Sequence, residues 1–528
     1  MNPARSYQNR PWALALLPSY RTRSFLLSFI LTQLLTMQTA PAPSAARFDM
    51  DDWRSGYRSL PQEYTYAIDQ IEGQIPAELV GTLFRNGPGL LDVGGHSVHH
   101  PFDGDGMISA ISFTEGRAYF RNRFVKTQPY IEEQAAQKPL YRGVFGTQKP
   151  GGAIANAFDL RLKNIANTNV IYWGDKLLAL WEAAEPHRLD PQTLDTIGID
   201  DLDGLLKPGD AFSAHPRIDP GRPGQQPRLV SFSVKTGLSS TIILYEFDVK
   251  GRLVHTYRHS LPGFAFLHDF ALTPNYCIFF QNPVSFNPLP YLLGFKGAAE
   301  CISFDAGQPT RALVIPRDGT SPAQTIDLPA CFVFHHANAF EAADGKLVLD
   351  SICYQEFPDL KGADDYLQAD FSRIPEGQLW RFTLDLSTES SEARCLIQRG
   401  CEFPHLNPAH VGNPYRYLYL GVAHQPEGNA PLQALLKHDL ETGQEQIWSF
   451  APRGFAGEPI FVPRPGGSTE DDGWVLMLMY NAARRCSDLV ILDAQHVENG
   501  AIATLQLPHH VPYGLHGSFV PNLLMAAP

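Results

Sequence analysis

The sequence predicts an all-β fold and, within that class, a β-propeller. Three observations carry this. The 528 residues include 43 glycines and 43 prolines, more than the roughly 12% that these two turn-formers average together. Short β-branched or aromatic runs alternate with tight turn signals along most of the chain, which is the mark of serial hairpins. No stretch of comparable length repeats its apolar residues at helical spacing. Length alone would suggest about three domains, but a propeller makes one large unit from repeated sheets.

The hairpins follow in order. Val170 to Glu182 reads VIYW-GDK-LLALWE, and Ile243 to Tyr257 reads ILYEFDV-KG-RLVHTY. Phe270 to Phe280 turns at Thr273 to Asn275, and Ala337 to Tyr354 turns at Asp344-Gly345. The strings LWRFTLDLSTESSEARCLI, ALLKHDLETGQEQIWSF and WVLMLMYNAARRCSDLVILDA carry the series to Ala494. So many antiparallel hairpins suit radial repetition, although no fixed-period motif such as W-D is visible. A double sandwich is the structural alternative.

Composition removes several function classes. Forty-two basic residues against 55 acidic ones leave a formal charge of −13, with no Lys/Arg run; nucleic acid, whose phosphates demand a basic stripe, is excluded as a partner. Charged residues are only 18%, hydrophobic ones 44% and aromatics 11%, so the chain collapses and folds. The seven cysteines, Cys277, Cys301, Cys331, Cys353, Cys395, Cys401 and Cys486, are odd in number and contain no C-x-x-C pair. Buried free thiols are expected rather than a disulfide framework.

Two segments raise the question of a membrane. Phe25 to Met37 is an apolar run preceded by Arg21 and Arg23 and followed by TAPAPSAA. It has the shape of a signal peptide and is shorter than the roughly 20 residues needed to span a bilayer. Three readings stay open for residues 1–50: a signal sequence, a membrane-associating extension, or a mis-assigned start with Met37 as the first residue. A single soluble domain is expected over 51–528, cytoplasmic and peripherally attached to a membrane, with export left open by the signal-like run. The second segment, NPVSFNPLPYLLGFKG, places Phe286, Leu289, Leu292, Leu293 and Phe295 among prolines that are expected to prevent a regular helix. It is either a core loop or an apolar surface that dips into a membrane.

Common catalytic signatures are missing: there is no G-x-S-x-G, no H-E-x-x-H and no Walker loop. Asp103-Gly104-Asp105-Gly106 imitates a calcium loop, but Met107 stands at the next ligand position, which points to a tight turn. Four of the 18 histidines sit in apolar or turn contexts where a charged ring is costly: His215 in FSAHPRIDP, His268 in GFAFLHDFAL, His335 in CFVFHHANAFE and His516 in VPYGLHGSF. Metal coordination would satisfy such neutral imidazoles, as would ordinary hydrogen bonds in a core. Their wide separation rules out a local site; they could meet only where distant strands converge, as at a propeller axis.

The strings HPFDGDGM, FSAHPRIDP, GFAFLHDFALTP, FHHANAFE, CEFPHLNP, FAGEPIFVPRPG and VPYGLHGSF resemble the signature blocks of the carotenoid cleavage oxygenases. With NGPGLL, YRGVFG, NIANTN, GQLWRFT and EDDGWVLMLMY, the similarity runs from about Asp51 to Phe519 and is nearest to the bacterial apocarotenoid-cleaving type. The resemblance implies a seven-bladed propeller with a loop dome over an axial iron site. It implies that His215, His268, His335 and His516 bind one Fe(II), with His336 structural. Glu182, Glu402 and Glu458 match carboxylates that accept a proton from the far nitrogen of a ligand histidine; His268 has no carboxylate assigned, its partner being solvent or a backbone carbonyl. Thr168 matches a position whose methyl group crowds one open coordination site. These four, Thr168 and the three glutamates, are the expected catalytic-site residues. Phe102, Phe145, Trp181, Phe334 and Tyr354 match the walls of a tunnel for a rigid polyene.

The implied reaction is cleavage by O₂ of the 15,15′ double bond of an apocarotenal or apocarotenol, releasing retinal, by a monomer that touches a membrane. Cleavage of another bond, a stilbene-like substrate, an isomerising relative with the same iron set, and a non-catalytic lipid-binding propeller are the alternatives.

Overall fold

The computed structural model describes residues 48–236, 239–358 and 366–526. The apolar run at 25–37 lies outside them.

Seven sheets of four or five antiparallel strands make a seven-bladed propeller. Numbered around the ring, blade 1 holds Gly81–Leu90, Asp105–Thr114 and Arg117–Phe124; blade 2 holds Asn169–Trp173 and Lys176–Leu180; blade 3 holds Arg217–Asp219, Arg228–Lys235 and Ser239–Phe247. Blade 4 is entered through Ala271–Leu272, blade 5 through Phe332–Glu341, blade 6 through Cys401–His405 and blade 7 through Gly454–Pro463. The chain ends close the ring. Gly517–Pro521 pairs with Gly81–Leu90 in blade 1, and Ile71–Gly73 pairs with Ala501–Gln506 in blade 7. Each junction is antiparallel and joins residues more than 400 positions apart.

The apolar runs exist because each blade is buried on both faces. Side chains of a strand alternate between faces, so Ile242 and Leu244 of blade 3 pack on Phe279 and Leu313 of blade 4. Their neighbours Ile243 and Tyr245 pack on Ile171 and Leu178 of blade 2. Equivalent apolar clusters fill the other junctions, the largest lying between blades 1 and 7 around Phe113, Trp474 and Leu489. Each fully buried side chain of this size contributes roughly 1.5–3 kcal/mol. All seven cysteines are free, and five of them are buried in this packing.

Helices are few and short among the described residues and lie outside the blades' strands. The 9-residue helix Gln128–Ala136 had no clear apolar period in the sequence, and only Glu133 of it is buried. Within blade 4, the NPVSFNPLPYLLGFKG segment does form a short helix, Pro288–Leu292, contrary to the expectation that its prolines prevent one. Pro288 stands at the first turn, where a missing N–H costs nothing, and Asn287 caps Leu289 N–H. No helix among the described residues is long and apolar enough to cross a membrane.

Candidate metal centre and substrate cavity

Every blade contributes a histidine or a glutamate to one cluster. His516 directly precedes the closing strand of blade 1, and Glu182 follows Lys176–Leu180 in blade 2. His215 and His268 lie in the turns leading into blades 3 and 4; His335, Glu402 and Glu458 sit inside the first strands of blades 5, 6 and 7. Those three strands are all bulged at the site: pairing shifts between Val333 and His336, between Glu402 and His405, and between Ala456 and Pro459. An extra residue in a strand re-aims its side chain. In blade 6 the bulge forces Phe403 to φ +56°, a strained conformation for a bulky residue.

The four histidines, 53 to 301 positions apart in the chain, bring ring nitrogens within 4.8 Å of one another. Three have a carboxylate behind them. His335 Nδ1 lies 2.6 Å from Glu402, His516 Nδ1 lies 2.8 Å from Glu458, and His268 Nδ1 makes a short contact with Glu182. The expectation that His268 has no carboxylate is therefore corrected. Among the described residues it is His215 that has none; its Nε2 faces His268 Nε2 at 2.9 Å. His336 is turned away and its Nδ1 meets Ser351 Oγ at 2.8 Å.

A divalent cation fits this arrangement. His335 Nε2 is buried without a hydrogen-bond partner, and in the three rings whose Nδ1 is given to a carboxylate the nitrogen left with a free lone pair is Nε2. Burial and the three neighbouring imidazoles hold His215 well below the usual histidine range. Burial likewise lowers His516, against the pull of Glu458. Burial also presses on His335, but there the Glu402 carboxylate outweighs it and the net shift is upward. Burial opposes ionisation of Glu458, yet Arg85 and His516 bring it down to about 2. Thr168 is buried next to this cluster, and its carbonyl accepts the backbone N–H of His516 at 3.0 Å.

A cavity of about 660 Å³ runs from this centre to the surface. Phe102, Phe145, Trp181, Phe334 and Tyr354, the five tunnel residues expected from the sequence, all line it, as do Thr168, Glu182 and Glu402. Tyr354 donates its hydroxyl to Glu402 at 2.7 Å, so its polar tip is occupied and its ring is left for the cavity. Sequence reasoning missed Trp53, Tyr57, Phe357 and Phe371, which also line the wall and come from segments without a signature block, and Tyr513, which lies three residues before His516 inside the VPYGLHGSF block. It also missed Phe403, whose ring stacks on His335 at 6.0 Å; its place directly after Glu402 was the available signal.

Of the candidate membrane residues, Leu289 and Phe295 are exposed, whereas Phe286, Leu292 and Leu293 are half-buried. The exposed apolar surface continues instead onto Ile154, Phe158 and Leu160. The two segments touch: Phe158 N–H donates to Leu292 O at 2.8 Å, and a Cβ on Gly294 would meet Ala153 O at 2.6 Å. Arg142 binds the carbonyls of both, at 3.0 Å to Tyr291 and 3.3 Å to Asn156.

The family model described as retinal pigment epithelial membrane protein matches residues 57–521. The apocarotenoid-15,15′-oxygenase of Synechocystis sp. is 54% identical over 92% of this chain and 99% of its own length. The chain belongs to the carotenoid cleavage oxygenase family. A lignostilbene-α,β-dioxygenase of Sphingomonas paucimobilis is 32% identical over 85% of this chain and 93% of its own length. Among solved structures, a variant of the Synechocystis apocarotenoid oxygenase superposes with a TM-score of 0.88 at 55% identity, covering 90% of this chain and 99% of that one. A cobalt-substituted form of the same oxygenase matches equally well. As a member of this family the protein is an oxygenase, and the four-histidine cluster beside the cavity has the geometry to hold a metal ion.

Proposed function

We propose that the enzyme binds Fe(II) through His215, His268, His335 and His516 and cleaves the 15,15′ double bond of an apocarotenal or apocarotenol, releasing retinal. The single observation that carries this is the aromatic-walled cavity ending on four convergent imidazoles; the 54% identity to an apocarotenoid-15,15′-oxygenase supports the bond assignment. Bound iron supplies the activation of O₂. One O₂ adds across the C=C bond, which breaks while two C=O bonds form, so the atoms and electrons balance without a further reductant.

The chain's own residues hold and position. Glu182, Glu402 and Glu458 fix the tautomers of three ligand rings. Phe334, edge-on to His268 at 5.3 Å, and Phe403 exclude water from the reacting end. Trp181 and the Phe102–Phe145 pair, edge to face at 5.2 Å, grip a polyene without polar contacts.

The reading includes peripheral membrane contact by a single propeller domain over 51–528. Lys296, Ala299 and Glu300 line the cavity and lie within five residues after exposed Phe295, so the cavity mouth adjoins the apolar patch and an insoluble substrate can enter from lipid.

A product assay with β-apo-8′-carotenal under air and under nitrogen tests the reaction. Retinal is expected only under air and only with stoichiometric iron; absence of bound iron, or a product from another bond, refutes the assignment. Replacing Ile154, Phe158, Leu289 and Phe295 by Ser is expected to weaken binding to phosphatidylcholine vesicles with iron content unchanged. Unchanged vesicle binding refutes the membrane contact.

A further inference from the structure

Arg85 is a second kind of participant in the metal centre. It lies in Gly81–Leu90, a strand buried at all ten positions, and is itself 5% exposed. One arm of its guanidinium makes a short ion pair with Glu458 Oε2, and the other donates to Leu515 O at 2.7 Å. Glu458 in turn holds His516 through Oε1 at 2.8 Å and the Gly517 N–H through Oε2 at 3.0 Å. An arginine side chain is charged at any working pH, so a permanent positive charge stands one carboxylate behind a candidate ligand.

The charge count is what gives this meaning. Glu182, Glu402 and Glu458 together carry minus three, and Arg85 returns plus one, leaving minus two around four neutral imidazoles. A further ion pair beside the site, half-buried Arg217 with buried Asp269, cancels internally. A divalent ion therefore makes the assembly neutral and a trivalent one leaves it positive, which a buried, poorly solvated site disfavours. We infer that Arg85 sets the charge of the centre so that it prefers Fe(II) over Fe(III), acting as a positioning residue through Glu458 and His516. Without it the minus three of the carboxylates would favour the ferric ion.

This inference rests on the four-histidine iron reading, and the test separates the two. Wild type, R85K, R85Q and the double variant R85Q/E458Q are loaded with Fe(II) without oxygen. Their ferric fraction is then followed by electron paramagnetic resonance at a series of poised potentials. R85Q is expected to raise the ferric-to-ferrous ratio at a fixed potential by at least tenfold, where tenfold is 59 mV for one electron. R85K keeps the charge, and R85Q/E458Q removes both charges together; both are expected to stay within about threefold of wild type on the same electrostatic argument. An unchanged ratio in R85Q, or equal shifts in R85Q and the double variant, overturns the charge-setting role and leaves Arg85 as a structural tie. If R85Q does not fold, E458Q carries the test: it keeps Arg85 and is expected to lower the ferric ratio, and no such fall overturns the proposal. A wild-type protein that takes up no iron overturns the metal reading itself, and this inference with it.

Discussion

The Glu458–His516 and Glu182–His268 arms make the same contact, a carboxylate on an imidazole Nδ1, in opposite surroundings. Glu458 has a side chain 9% exposed, is paired with Arg85 and accepts a backbone N–H as well. Glu182 has a side chain 24% exposed and lines the substrate cavity, with His268 as the partner that positions it. One arm is part of the frame that closes the propeller ring, because His516 directly precedes the last strand; the other faces the space that substrate fills. The same interaction thus stands in two settings, one buried beside a permanent charge and one open to the cavity, and what distinguishes them is the charge and solvent around it.

The comparison can be broken in four ways, from the largest expected effect to the smallest. Removing a ring at the centre, as in His335→Ala, is expected to abolish stoichiometric metal binding measured by elemental analysis, while the circular dichroism of the sheets is retained. Retained stoichiometric metal would mean that the imidazoles pack together for another reason. Next, Glu458→Ala strands the buried Arg85 charge and is expected to cost about 3–5 kcal/mol in denaturant unfolding. Glu182→Ala strands no charge; its expected effect is a roughly 10–100-fold loss of metal affinity or turnover with stability nearly unchanged. Equal stability losses in the two variants would erase the distinction between the arms.

His100 supplies a third environment, a cavity-lining ring stacked on Phe145 at 5.1 Å. Burial, with His99 nearby, lowers it to about 3 from an ordinary 6.5. The sign follows. Above pH 6.5 the ring is neutral folded or unfolded, and between 6.5 and 3 only the unfolded chain binds the proton. Stability attributable to this residue is therefore lost as pH falls through that window. Wild type should lose roughly 2 kcal/mol more than His100→Phe between pH 7.5 and pH 5, as read from unfolding curves at the two values; parallel losses would show that His100 is not held neutral. The smallest effect is expected for Tyr354→Phe. Glu402 there loses one hydroxyl donor but keeps His335 and the Phe403 N–H, so metal affinity should fall by less than about tenfold, consistent with one hydrogen bond.

The sequence by itself determined the fold class, because alternation along a strand and turn residues between strands act over a few positions. Ile242 to Tyr245 reads as a strand buried on both faces whatever lies next to it. The four histidines and three glutamates were legible as well, from signature blocks rather than from spacing. Tertiary structure alone decided which carboxylate stands behind which histidine. His268 and Glu182 are 86 positions apart and meet because the blades converge, and Arg85 and Glu458 are 373 apart and meet because the ring closes; nothing local encodes either distance. The same holds for the patch that joins Ile154 and Phe158 to Leu289 and Phe295. The bulge at Phe403 is also a tertiary matter, since a positive φ in a bulky residue is strain that the surrounding blades must hold in place.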